Sequence, residues 1–138
     1  MQYAVKSALR IGIVLLVLFS AAVPIYSHAA GLGGTWEGQV TQDDPSVTYP
    51  IELNLYGNVG NVNYPSVPCG GNLEFIRTDG TSFWYRERIT FGKDKCLDGI
   101  VKLSRHALGD NTAWEWRWEG GQASARGVLR GSGVAESK

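Results

Sequence analysis

The sequence predicts an all-β chain: a single small antiparallel barrel of about eight strands, with a two-sheet β-sandwich as the alternative. Three observations lead there. Apolar and polar residues alternate with period two in several short runs, most regularly in Tyr49, Ile51, Leu53 and Leu55 against Pro50, Glu52 and Asn54. No stretch after residue 30 keeps a 3.6-residue period for three turns, so helix signals are lacking. Glycine punctuates the rest, with 17 of the 18 glycines after residue 30. The barrel is preferred because closure removes both strand edges and the strand order demands no long crossover.

Residues 1–30 are read as a signal peptide and set aside. Lys6 and Arg10 supply a positive start, Ile11 to Phe19 an apolar run, and Ser27-His28-Ala29-Ala30 the small residues of a cleavage site. A retained membrane anchor is the alternative, but the apolar run is short for a span. The expected mature chain has one domain, residues 31–131, and a disordered tail, residues 132–138. It keeps 11 of the 13 basic residues against 13 acidic ones, a charge near −2. No basic surface speaks for nucleic acid.

The strands are expected in this order. Gly34 to Gln42 alternates Trp36, Gly38 and Val40 with polar residues, and Asp43-Asp44-Pro45-Ser46 turns the chain. Val47 to Tyr56 and Val59 to Tyr64 follow, joined at Gly57-Asn58. Asn72 to Arg77 points Leu73 and Phe75 inward, and Arg77-Thr78-Asp79-Gly80 turns into Ser82 to Phe91. On that strand Phe83, Tyr85, Glu87, Ile89 and Phe91 share one face, and Trp84, Arg86, Arg88 and Thr90 the other. Gly99 to Ser104 is anchored by Ile100 or Val101 plus Leu103. After a turn from His106 come Thr112 to Glu119 and Gln122 to Arg130, with Gly120-Gly121 as a two-residue hairpin.

Cys69 and Cys96, the only cysteines, flank the pair of strands that contains Glu87. With an export signal and no third thiol they are expected to form a disulfide, the alternative being two free buried thiols. Closing a loop of this length stabilises a fold by about 3–4 kcal/mol on the chain-entropy argument.

Glu87 stands out because it lies on the face expected to be buried. A carboxylate there must pair, hydrogen-bond or take up a proton. The structural reading gives it an ion pair with Arg77 or Arg126 from a neighbouring strand, or hydrogen bonds to loop amides; the functional reading makes it an anchor inside a pocket at the barrel mouth. Trp114, Trp116 and Trp118 share a face opposite Glu115, Arg117 and Glu119, which predicts that the three indoles are core. Exposed, they would offer sugar rings a platform. Trp84 with Arg86 and Arg88 makes a small cationic and aromatic patch on the outer face. Asp94 and Asp98 lack the glycine and terminal glutamate of a calcium loop. With His28 cleaved, His106 is the sole histidine of the mature chain, which excludes a multi-histidine metal site. A two-carboxylate hydrolase built on Glu87 and Glu52 would need both acids in one cleft. No serine sits in a nucleophile elbow. No catalytic residue and no cofactor or metal is expected.

GTWEGQV (34–40), YPIELNL (49–55), VNYPSVPCGGNLEF (62–75), YRERITFG (85–92), CLDG (96–99) and WEWRW…GVLR (114–130) occur in one order. The set resembles a small β-domain of bacterial proteins, secreted alone or fused to protein kinase or peptidase domains. It covers almost the whole expected mature chain. The resemblance implies one domain, the disulfide, and an extracytoplasmic sensing or interaction role, with no active site attached.

The expectation for function is therefore a non-enzymatic secreted or periplasmic binding module, sensor-like or inhibitor-like. It would be a monomer without a membrane span, meeting an envelope or extracellular protein, or a small ligand. The loops Asp43–Ser46, Tyr64–Gly71 and Gly92–Asp98 would make the contact. The candidate binding residues are Glu87, Trp84, Arg86, Arg88 and Tyr64. Glycan or small-ligand binding through exposed tryptophans is the alternative.

Overall fold

The computed structural model describes residues 31–105 and 111–132. The expected leader, His106 and residues 133–138 lie outside them. Eight antiparallel strands close into an up-and-down barrel: β1 (Gly33–Gln42), β2 (Val47–Tyr56), β3 (Val59–Tyr64), β4 (Cys69–Thr78), β5 (Ser82–Phe91), β6 (Gly99–Arg105), β7 (Asn111–Arg117) and β8 (Ala123–Ser132). Each strand pairs with its neighbour in sequence, and β8 returns to β1 through Trp36 opposite Gly131 and Val40 opposite Gly127. β8 thus runs one residue past the expected end of the domain, so Ser132 belongs to the barrel and not to the tail. Among the described residues no helix is long and apolar enough to cross a membrane.

Strand alternation fills the interior. Leu53, Leu55, Leu73, Tyr85, Leu103 and Leu129 are all buried at 2 % exposure or less. Burying such side chains supplies the main driving force for closure. Cys69 and Cys96 form the disulfide, with Cα atoms 6.2 Å apart, which fixes the β5–β6 connection to the start of β4.

The two ends of the barrel differ. One carries the β2–β3 and β4–β5 turns and the entering chain, and it is sealed. Leu32 is buried there, and its amide donates to the Tyr85 hydroxyl at 2.8 Å. That hydroxyl donates in turn to the Gly57 carbonyl at 3.0 Å, while the Gly57 amide donates to the Leu32 carbonyl. The other end carries the β1–β2, β3–β4, β5–β6 and β7–β8 connections together with the disulfide, and it is open.

Two register shifts correct the expected faces. Between Phe75 and Arg77 the β4–β5 ladder slips by one residue, so Arg77 lies opposite the outward-facing Trp84. A second slip, at Gly70 and Gly71, separates Phe91 from the buried face, and Phe91 is half exposed. The β7–β8 connection is also longer than a two-residue hairpin: β7 ends at Arg117, and a turn closes through the Gly121 amide on the Trp118 carbonyl.

Candidate functional site

Glu87 points into the barrel from the middle of β5, flanked across the sheet by Leu73 on β4 and Gly99 on β6. It is 2 % exposed. Tyr64, at the end of β3, donates its hydroxyl to Glu87 Oε2 at 2.7 Å. The Trp116 side chain on β7 is the second donor to the carboxylate. Its indole reaches that position because Gly99 has no side chain; a Cβ there would run into Nε1 and Cε2 of the ring.

Among the described residues no arginine pairs with the carboxylate. Arg77 stacks on Trp84 outside the barrel, its guanidinium carbon 3.5 Å from the ring centroid. Arg126 pairs with Asp43 at 3.0 Å and lies 3.7 Å from Glu115, also outside. The expected ion pair is therefore corrected to a pair of neutral donors. Burial pushes the Glu87 carboxyl up to about 7; the Tyr64 and Trp116 hydrogen bonds pull against the rise and the Asp98 charge adds to it. Burial, then the neighbouring Glu87, holds the Tyr64 phenol well above its ordinary range, so it stays a donor. Tyr49 is raised for the same reasons in the same order.

These groups line a cavity of about 490 Å³ that opens at the disulfide end. Tyr49 and Tyr64 meet edge to face at 5.8 Å, and Trp116 and Trp118 do so at 5.4 Å. Trp114 lines the cavity too; it is 1 % exposed, and its buried indole N–H has no hydrogen-bond partner among the described residues. The rim carries Val47, Leu97 and Trp118, each about half exposed. The rim and mouth draw on all three loops singled out in the sequence, through Asp44, Val67 and Lys95.

Of the sequence-predicted site residues, Glu87 and Tyr64 meet in the cavity and the other three do not. Trp84 is buried on the outer face beneath Arg77 and, at 5.6 Å, Lys102. Arg86 pairs with Glu119 at 3.0 Å. Arg88 is exposed on the outside. The three-indole core is corrected to a gradient: Trp114 is buried, Trp116 half-buried and Trp118 exposed beyond the end of β7. Glu52 is exposed and accepts from Asn63 at 3.3 Å, on the side of the wall away from Glu87. Asp98 accepts the Ile89 amide at 2.8 Å. Among the described residues no three His, Cys, Asp or Glu side chains are grouped to hold a metal.

Tyr49 was legible as a strand aromatic but not as a site residue, and Trp114, Trp116 and Trp118 as core or, exposed, as a sugar platform, but not as the wall of a cavity. Their convergence depends on which strand ends share the open mouth. No family model matches the chain, and neither the curated proteins nor the solved structures compared with it include a match.

Proposed function

We propose that this chain is a non-enzymatic binding protein that takes a small, mostly apolar ligand into the open end of its barrel. One observation carries the reading. A barrel sealed at one end holds at the other a cavity of about 490 Å³, walled by aromatics around a buried carboxylate. Its volume and its few converging polar groups match those of small-molecule sites. The unanswered Trp114 N–H gives such a ligand a donor to meet. Val47, Leu97 and Trp118 give it apolar surface at the entrance.

The protein acts outside the cytosol, as a single chain. The disulfide supports an oxidising compartment, and the resemblance to the small bacterial β-domain points the same way. The surface tryptophans of the glycan reading reduce to Trp118, because Trp84 is covered and Trp36 packs against the core.

Titration with N-phenyl-1-naphthylamine, a neutral apolar fluorophore, tests the proposal. Saturable enhancement at one site per chain is expected. It should be lost in Ala125→Phe, which fills the cavity from β8, when that variant keeps its melting transition. Absence of saturable binding, or equal binding by the folded variant, contradicts the proposal.

A further inference from the structure

We infer that the cavity selects an organic ammonium ion, held by the Glu87 carboxylate with its apolar body against the tyrosines and tryptophans of the mouth. The inference rests on the binding reading above and names the chemistry of its ligand.

The charges facing Glu87 set the preference. From β3 and β7 it receives only neutral donors, Tyr64 and Trp116. From β2 it faces the neutral Tyr49 phenol, and from the β5–β6 connection the Asp98 carboxylate. Asp44 adds a second acid to the cavity lining. Among the described residues Lys95 is the one basic lining residue; it is half exposed and lies 4.0 Å from Asp94. No lysine or arginine among the described residues makes an ion pair with Glu87. The lining thus favours a cation.

The aromatic walls favour the same ligand. A ring face attracts a cation, most strongly once both are out of water. Tyr49, Tyr64, Trp114, Trp116 and Trp118 put five rings around one cavity. The desolvation of Glu87 is already met in folding, so an incoming ammonium ion finds a carboxylate stripped of water and held by the Tyr64 hydroxyl. An anionic ligand would face Glu87 and Asp44 with no compensating charge at depth. A neutral one would leave the carboxylate unanswered.

Proton linkage gives a signature that packing alone does not. With its carboxyl titrating at about 7, Glu87 is mostly protonated at pH 5.5 and mostly ionised at pH 8. A ligand that needs the ionised form binds in proportion to that population, so its affinity rises by roughly thirtyfold across this range.

Calorimetric titration of the purified protein with phenethylamine, phenethyl alcohol and 3-phenylpropionate at both pH values tests this. Phenethylamine, protonated throughout, should tighten by tenfold or more on going to pH 8. The alcohol should bind more weakly there, with little pH dependence, and phenylpropionate weakest of all. In Glu87→Gln the amine should fall to the level of the alcohol, whose retained binding shows that the variant is folded. Should that variant fail to fold, the wild-type pH profile decides. An alcohol that binds as tightly as the amine at pH 8 overturns the cation preference and leaves the cavity reading standing. If none of the three binds and the naphthylamine fluorophore does, the ammonium inference alone falls. If the fluorophore fails as well, both fall.

Discussion

The indole of Trp116 occupies the space that a side chain at Gly99 would need, and Gly99 is the β6 neighbour of Glu87. One missing side chain thus lets a donor from β7 cross behind β6 to a carboxylate on β5. Gly99→Ala should displace the ring and destabilise the fold by about 1–3 kcal/mol through overpacking. With a donor to the anion withdrawn, the Glu87 carboxyl should titrate higher still. Thermal melts and a carboxyl titration of the variant check both. An unchanged midpoint would show that the glycine does not position the indole for Glu87.

Glu87 costs the fold stability at neutral pH. Its carboxyl is raised in the folded state from an ordinary 4.5 to about 7, so the folded protein binds more protons than the unfolded one. Stability from this group is fully present below about pH 4.5. It declines as pH rises and is lost above about 7, a difference of about 3 kcal/mol. Glu87→Gln should abolish that decline and stand more stable than wild type at pH 8. Denaturant melts across this range test it, and a variant less stable than wild type at pH 8 would contradict it.

Tyr85 seals the opposite end. Its hydroxyl accepts from the Leu32 amide and donates to the Gly57 carbonyl. Tyr85→Phe leaves both groups short of a partner in a buried setting, which should cost about 1–3 kcal/mol. Naphthylamine binding at the far end should hardly change, and loss of binding in a folded variant would show that the two ends are not independent.

The Cys69–Cys96 bridge spans a sequence separation of 27. Replacing both cysteines with alanine should lower stability by about 3–4 kcal/mol, the entropy returned to the unfolded chain. A guanidinium midpoint unchanged from wild type would mean that the barrel closes without help from the bridge.

Much of the barrel was legible because its walls are simple. β2, β3 and β5 have the bounds expected from the sequence, most plainly β2, whose Ile51, Leu53 and Leu55 are in the core. β4 begins earlier than expected, at Cys69. Gly70 and Gly71, expected in the Tyr64–Gly71 loop, are paired strand residues, with the Arg88 carbonyl where a Cβ of Gly71 would stand. That close approach of two strands leaves no trace in alternation. Glu87 was found by parity alone. Its partners were not, because a slip at Phe75 and Arg77 turns Arg77 outward, and a register shift is invisible to a pattern of period two. The Trp116 donor was hidden for a similar reason: it needs the empty position at Gly99 on a different strand.

A carboxyl carbon NMR titration of Glu87 in the ligand-free protein tests the account most directly. A midpoint near 7 is expected, well above the other carboxyl groups, because the barrel keeps this one out of water beside Tyr64 and Trp116. A midpoint between about 4 and 5, the range of a solvated glutamate, would mean that Glu87 is not held in a dry cavity, and the ligand site built around it would not stand.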